Sequence, residues 1–154
     1  MIEIQSAEWP RDLEVVRRLF REYADGLGID LAFQGFEEEL AALPGKYEEP
    51  EGRLLVAWAG KEAVGTVALR AIDDETCEMK RLFVRPSARG IASGGRLAER
   101  ICEEARKAGY SRICLDTLPA MLPALALYHS LGFVPVAPYV FNPVPGAVFL
   151  ALDL

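Results

Sequence analysis

The chain has 154 residues, a length that fits one domain around a single hydrophobic core. Its 17 Lys and Arg residues stand against 23 Asp and Glu, which gives a net charge of −6 and an isoelectric point near 4.9. This sign is wrong for a protein that binds a phosphate backbone, so we do not expect nucleic acid as a partner. An acidic balance is compatible with a cationic amine substrate.

The cysteine pattern and the apolar C-terminal third indicate the cellular compartment in which we expect the protein. Cys77, Cys102 and Cys114 lie within strand or helix patterns and lack metal-ligand spacing, so we expect reduced thiols, no metal site and a cytoplasmic protein. The first residues lack the basic and apolar regions of a signal peptide. Residues 117–152 contain no Asp, Glu, Lys or Arg, but prolines divide them into pieces too short to cross a bilayer.

The first half of the chain predicts two helices and three strands. A strand at residues 2–4 precedes a helix that starts after Pro10 and ends at Gly26 and Gly28. A second helix, at about residues 36–43, carries three consecutive glutamates that we interpret as a solvated first turn. Residues 54–59 and 64–71 predict a hairpin joined by Gly60-Lys61-Glu62.

The next strand, residues 76–84, changes its pattern along its length. Cys77 and Met79 alternate with Glu78 and Lys80, but the alternation lapses into three consecutive apolar residues at 82–84. Loss of the two-residue period indicates either burial on both faces or a β-bulge, and the pattern leaves both open.

A glycine-rich turn follows this strand and leads directly into the clearest amphipathic helix of the chain, which Gly109 ends. The turn reads Arg89-Gly90-Ile91-Ala92-Ser93-Gly94-Gly95. An arginine, a row of backbone N–H groups and a helix N-terminus together favour a phosphate-bearing ligand. No Gly-Lys-Ser/Thr follows and the spacing is not that of a dinucleotide fingerprint, so neither of those phosphate loops is expected. The turn alone is equally compatible with an ordinary strand-to-helix connection.

The C-terminal part predicts a strand at residues 113–117, a helix at 123–132, and two strands at about 134–141 and 147–152 around a proline-rich turn. The predicted class is therefore α+β in one domain, residues 1–154, with a mixed, mostly antiparallel sheet flanked by about four helices.

Two segments resemble the signatures of the GNAT-type N-acetyltransferases. Arg89 and Gly94 match the loop that binds the pyrophosphate of acetyl-CoA, although Ala92 stands where the family usually has its middle glycine. Residues 124–133 resemble the second signature, a helix that carries a tyrosine and ends in Gly-Phe. With the lead-in at 79–82 and the closing segment at 139–146, the resemblance covers most of the chain.

The resemblance implies a bulge in the strand before the loop and a sheet splayed between that strand and the strand at 113–117, with acetyl-CoA in the splay. It also implies that the loop amides and Arg89 hold the pyrophosphate, while the strand backbone pairs with the pantetheine arm. Met121 occupies the place where many relatives have an asparagine that contacts the pantetheine. The expected acetyl-CoA-binding residues are Leu82, Phe83, Val84, Arg89, Gly90, Ile91, Ala92, Ser93, Gly94 and Gly95.

Two catalytic residues are implied in the same way. Tyr128, in the second signature, is the expected general acid for the departing thiolate, and a buried core aromatic is the alternative. Glu78 lies eleven positions before Arg89, the spacing of the catalytic glutamate in histone-acetylating relatives, and is the expected base. The alternatives are an outward-facing carboxylate paired with Lys80 or Arg81, and a base that is only water.

The expected function is transfer of an acetyl group from acetyl-CoA to a primary amine of a small molecule or peptide, by direct attack in a ternary complex. The alternative is a non-catalytic acyl-CoA-binding sensor or interaction domain. A homodimer is left open. Five residues of the first two helices and the last hairpin are candidates for the acceptor pocket by position only, namely Tyr23, Phe33, Phe36, Tyr139 and Asn142.

Overall fold

The structure is a computed structural model that describes residues 1–89 and 93–154. Within these ranges it contains four α-helices and one seven-stranded sheet. The helices are α1 (Leu13–Leu27), α2 (Phe36–Ala42), α3 (Ser93–Lys107) and α4 (Leu122–Leu131). The strands are β1 (Ile2–Ser6), β2 (Arg53–Ala59), β3 (Glu62–Ala71), β4 (Thr76–Val84), β5 (Arg112–Thr117), β6 (Val134–Pro135) and β7 (Val148–Asp153).

The strands lie in the order β1-β2-β3-β4-β5-β7-β6, and every neighbouring pair is antiparallel except β4 and β5. The predicted mixed, mostly antiparallel sheet with about four helices is confirmed. No helix of the described residues is long and apolar enough to cross a bilayer.

Helices cover both faces of the sheet, so the inner strands β2, β3 and β4 are buried on both sides. Side chains of a strand alternate between the faces, and β2 shows the consequence directly. Leu55 and Ala57 pack into the core with α3 and α4, while Leu54 and Val56 pack into the core with α1 and α2. Because both faces are covered, β2 is apolar at successive positions and lacks a clear period.

The lapse of alternation in β4 is a bulge. Thr66 of β3 pairs with Phe83, whereas Ala68 pairs with Lys80, so Arg81 and Leu82 together face one residue of β3. Arg81 has φ = 61° there, and its carbonyl oxygen accepts a hydrogen bond from the Thr66 hydroxyl at 2.9 Å. This conformation is uncommon for a residue with a Cβ and is typical of a bulge. The implied bulge is confirmed.

The sheet is splayed between β4 and β5. The two strands pair only at Thr76, Cys77 and Glu78, opposite residues 112–114, although β4 continues to Val84 and β5 to Thr117. The splay implied by the resemblance is therefore present.

The last predicted hairpin is shorter on one side than expected. The strand expected at about residues 134–141 ends at Pro135, and only the Val136 N–H continues the pairing, donating to the Phe149 carbonyl oxygen at 2.9 Å. Pro138 supplies no backbone donor, which interrupts the ladder beyond Val136.

Candidate active site

A cleft of about 50 Å³ lies where β4 and β5 separate. β4 contributes residues 79–82 and β5 contributes Leu115, Asp116 and Thr117, while Tyr128 of α4 and Tyr23 of α1 complete opposite parts of the wall. The cleft is thus built by the splay of the sheet and closed by helices from both of its faces.

A second and larger cavity of about 500 Å³ adjoins the cleft. The two share Phe33, Gln34, Lys80 and Asp116, which we call the shared wall. The second cavity is further lined by Gly35, Glu38, Glu39, Ala42, Pro44, Gly45, Lys46, Tyr47, Arg70, Glu78, Val140 and Phe141.

The residues expected to pair with the pantetheine arm lie at the cleft end of β4. Leu82 lines the cleft, the Phe83 ring packs edge-on against Tyr23 with centroids 6.4 Å apart, and Val84 is buried. Beyond Glu78, the edge of β4 that faces β5 has no strand partner among the described residues. Its backbone donors and acceptors therefore need other partners, and an extended ligand arm can supply them.

The expected pyrophosphate site is described in part. Arg89 is exposed, and its Nε donates to the Val84 carbonyl oxygen at 2.9 Å, which holds its guanidinium at the end of β4. Ser93, Gly94 and Gly95 form the first turn of α3. A Cβ at Gly94 or Gly95 would meet protein atoms no closer than 3.9 Å and 3.6 Å, ordinary contact distances, so protein packing does not require glycine here. The expected residues Gly90, Ile91 and Ala92 lie outside the described residues.

Tyr128 lies in the wall of the cleft and is 6% exposed. Its ring packs against Phe133 with centroids 5.6 Å apart, and its hydroxyl forms no hydrogen bond with another described residue. Burial raises the pKa of Tyr128, so the phenol keeps its proton at neutral pH. The residue thus belongs to the core by packing and to the cleft by position.

Glu78 is fully buried and lines the second cavity, not the cleft. Its Oε1 accepts a hydrogen bond from Arg70 Nε at 2.8 Å, and its Oε2 accepts one from the Tyr139 hydroxyl at 2.8 Å. The alternative of an outward-facing carboxylate paired with Lys80 or Arg81 is therefore wrong. Arg70 lies opposite Glu78 in the β3–β4 register, between the bulge and the turn that joins the two strands.

Arg81 joins α2 to β4 at the back of the site. Its Nε and Nη2 donate to the two carboxylate oxygens of Glu39 at 2.9 and 2.8 Å, and its Nη1 donates to Gln34 Oε1 at 2.7 Å. The guanidinium carbon lies 5.2 Å from the Phe36 ring centroid. Glu39 was expected in a solvated first turn of α2, but it is the ion-pair partner of Arg81. Phe36 was a candidate for the acceptor pocket, but it is buried beneath Arg81 and does not line a cavity.

The other acceptor-pocket candidates are divided between the two cavities. Tyr23, Phe33 and Asn142 line the cleft, and Phe33 lines the second cavity as well. Tyr139 instead supports Glu78, and burial raises the pKa of its phenol. The sequence gives no local indication of Arg70 and Asp116, since neither belongs to a motif and only the sheet brings them to the site.

The chain matches a known protein family and a relative of similar length. Residues 13–133 match the model of the acetyltransferase (GNAT) family. An uncharacterized N-acetyltransferase of Schizosaccharomyces pombe is 41% identical over 155 residues, covering 99% of this chain and 95% of the relative.

Solved structures share the fold. An acetyltransferase from Streptococcus agalactiae superposes with a TM-score of 0.81 at 24% identity, covering 99% of this chain and 98% of that one. The yncA protein of Salmonella typhimurium, solved with its cofactor acetyl-CoA, superposes with a TM-score of 0.73 at 20% identity, covering 99% and 93%. With its family match, its relative of similar length, its bulged fourth strand and its splayed sheet, the chain belongs to the GNAT acetyltransferase family.

Proposed function

We propose that the protein transfers the acetyl group of acetyl-CoA to a primary amine by direct attack, with donor and acceptor bound at the same time. One observation carries the proposal: the cleft in the splay and the second cavity share a wall, so two substrates can meet there. Holding two reactants side by side removes much of the entropic cost of a bimolecular step.

The residues of the splay fit acetyl-CoA as the donor. The free edge of β4 suits the amides of an extended arm, and Arg89 with the first turn of α3 suits a pyrophosphate. Glycines at 94 and 95, which packing does not require, leave backbone N–H groups accessible. Acetyl-CoA supplies an activated thioester carbonyl when it is bound.

Tyr128 is the proposed general acid. When the amine nitrogen bonds to the carbonyl carbon and the carbon–sulfur bond breaks, the sulfur takes the phenolic proton, and the proton that nitrogen sheds as the amide forms restores the phenol. Burial keeps Tyr128 protonated and therefore competent to donate, and its hydroxyl is not engaged by another described residue.

Glu78 is the proposed acceptor of the ammonium proton that must leave before the nitrogen can attack. Both carboxylate oxygens already accept one hydrogen bond, from Arg70 and from Tyr139, but each oxygen has a second lone pair. Since Glu78 lines the second cavity, a proton reaches it from the acceptor side, through water or through the Tyr139 hydroxyl.

The test measures release of the free CoA thiol from acetyl-CoA over a panel of primary amines. Tyr128→Phe should lower kcat by roughly 10²–10⁴-fold and leave acetyl-CoA affinity nearly unchanged. Tyr110→Phe is the matched control, because the Tyr110 hydroxyl bonds the Glu51 carbonyl oxygen at 2.6 Å, away from both cavities, and this variant should keep full kcat.

Two outcomes would contradict the proposal. Full turnover by Tyr128→Phe would show that Tyr128 is not the general acid. Tight acetyl-CoA binding without thiol release for any amine would favour the sensor alternative instead.

A further inference from the structure

Two oppositely charged side chains lie in the shared wall without an ion-pair partner among the described residues. Lys80 is half-buried, and its Nζ donates only to the neutral Gln34 Oε1, at 3.2 Å. Asp116 is also half-buried, and its Oδ2 accepts only from the neutral Asn142 amide, at 3.0 Å. Desolvating a charge that has no direct ion-pair partner is costly, so both positions favour a charged ligand.

The second cavity contains further unused polar groups. The Tyr47 hydroxyl is buried and has no hydrogen-bond partner among the described residues, which is rare in folded proteins. Arg70 uses its Nε for Glu78, while its terminal nitrogens bond no other described residue. These two unused donors line the same cavity as Lys80.

Part of the second cavity is apolar, although charged side chains also line it, namely Glu38, Glu39, Lys46 and Glu78. Ala42, Pro44 and Val140 contribute aliphatic surface, and the Phe33 and Phe141 rings meet edge-on with centroids 6.2 Å apart. Phe141 is 72% exposed. The cavity of about 500 Å³ is therefore suited to the apolar body of a small molecule.

We propose that the acceptor is an α-amino acid whose carboxylate pairs with Lys80, whose ammonium group pairs with Asp116, and whose side chain occupies the second cavity. This inference rests on the proposed function and names the substrate of the same site. An α-amino acid carries both charges on one carbon atom, which matches a cation and an anion in one wall. Its nitrogen would then lie where the second cavity meets the cleft.

A simple amine would satisfy the site less well. It would leave Lys80 unmatched and would bring a second positive charge near it, in surroundings where charges are poorly screened. A simple carboxylic acid would leave Asp116 unmatched for the same reason. Burial and the nearby Arg81 guanidinium lower the pKa of Lys80, although Glu78 and Glu39 act in the opposite direction.

The test compares three probes that share an aromatic body: L-phenylalanine, 2-phenylethylamine, which lacks the carboxylate, and 3-phenylpropionate, which lacks the ammonium group. Binding to the CoA-saturated protein is measured by calorimetry. We expect L-phenylalanine to bind at least tenfold more tightly than either analogue, since each analogue loses a charge-assisted contact.

Lys80→Gln should abolish the preference for L-phenylalanine over 2-phenylethylamine, and Asp116→Asn should abolish the preference over 3-phenylpropionate. Lys61→Gln is the matched control, because Lys61 is exposed in the β2–β3 turn and should leave both preferences intact.

Binding of 2-phenylethylamine as tight as that of L-phenylalanine would overturn the inference, and so would a preference that survives Lys80→Gln. Failure of L-phenylalanine, L-methionine and L-leucine to bind at millimolar concentration would overturn it as well. Thiol release separates the two proposals. If amines with and without a carboxylate are acetylated equally well, the proposed function stands and the amino-acid acceptor is wrong. If amino acids bind but no thiol is released, the amino-acid site stands and the proposed acetyl transfer is wrong.

Discussion

Replacing Arg81 by methionine should cost this protein a large part of its stability. The Arg81 side chain is 1% exposed and makes two hydrogen bonds to Glu39 and one to Gln34. Arg81→Met removes all three and leaves the Glu39 carboxylate, only 18% exposed, without its cation. Breaking a buried ion pair from one side costs about 3–5 kcal/mol, chiefly because a desolvated charge is left uncompensated.

The magnitude is a substantial fraction of the roughly 5–15 kcal/mol that stabilises a typical domain. For a chain of this size it corresponds to a fall in Tm of about 6–20 °C. Methionine keeps a Cβ at the position where φ is 61°, so the backbone penalty is the same in both proteins and does not enter the difference. Urea unfolding followed by circular dichroism measures the change as a lower midpoint with the same slope.

Two further variants test whether burial of an unpaired charge is the cause of the lost stability. Arg21→Met breaks the exposed pair between Arg21 and Glu37, whose side chains are 53% and 70% exposed, and should cost no more than about 1 kcal/mol. The double variant Arg81→Met/Glu39→Met leaves no unpaired charge and should be more stable than Arg81→Met alone. Equal losses for Arg81→Met and Arg21→Met, or a double variant less stable than Arg81→Met, would refute the argument.

Two other predictions concern ligand affinity and pH. Arg89→Ala should weaken acetyl-CoA binding roughly 10- to 100-fold in calorimetry, because a charge-assisted contact to phosphate is lost, while Arg106→Ala, at the exposed far end of α3, should not change it. Burial opposes ionisation of Asp12, but hydrogen bonds from Arg11 and the Glu8 N–H outweigh it and lower the pKa of that carboxyl. A lowered folded-state pKa stabilises the protein above the unfolded value of about 3.9, and this contribution is lost as the pH falls through the folded-state value. Asp12→Asn should therefore cost about 1–2 kcal/mol in urea unfolding at pH 7 and progressively less below about pH 4, and an equal cost at both pH values would contradict it.

Local features of the chain were predictable because their physical signals are local. The apolar stripe of α3 identifies a helix and its buried face without reference to any other element. The order of strand, glycine-rich turn and helix indicates a phosphate site for the same reason, since a helix N-terminus and its N–H groups come from contiguous residues. The helix signature around Tyr128 is contiguous as well, and the bulge in β4 appeared as a lapse in alternation, although the pattern alone left burial on both faces equally open.

The surroundings of the catalytic candidates depend on distant parts of the chain. Whether Glu78 faced solvent or a cation was decided by the strand register, which sets Arg70 opposite it, and by Tyr139, 61 positions further on. The glutamates of α2 gave no sign that Glu39 would be drawn to a buried arginine 42 positions away. The sequence by itself indicated most of the elements, because periodicity, turns and caps act over a few residues, and two contiguous motifs carried the resemblance to the family. Tertiary structure alone decided which charges are paired and where the two cavities meet, because burial and Coulomb interactions act through space between residues far apart in the chain.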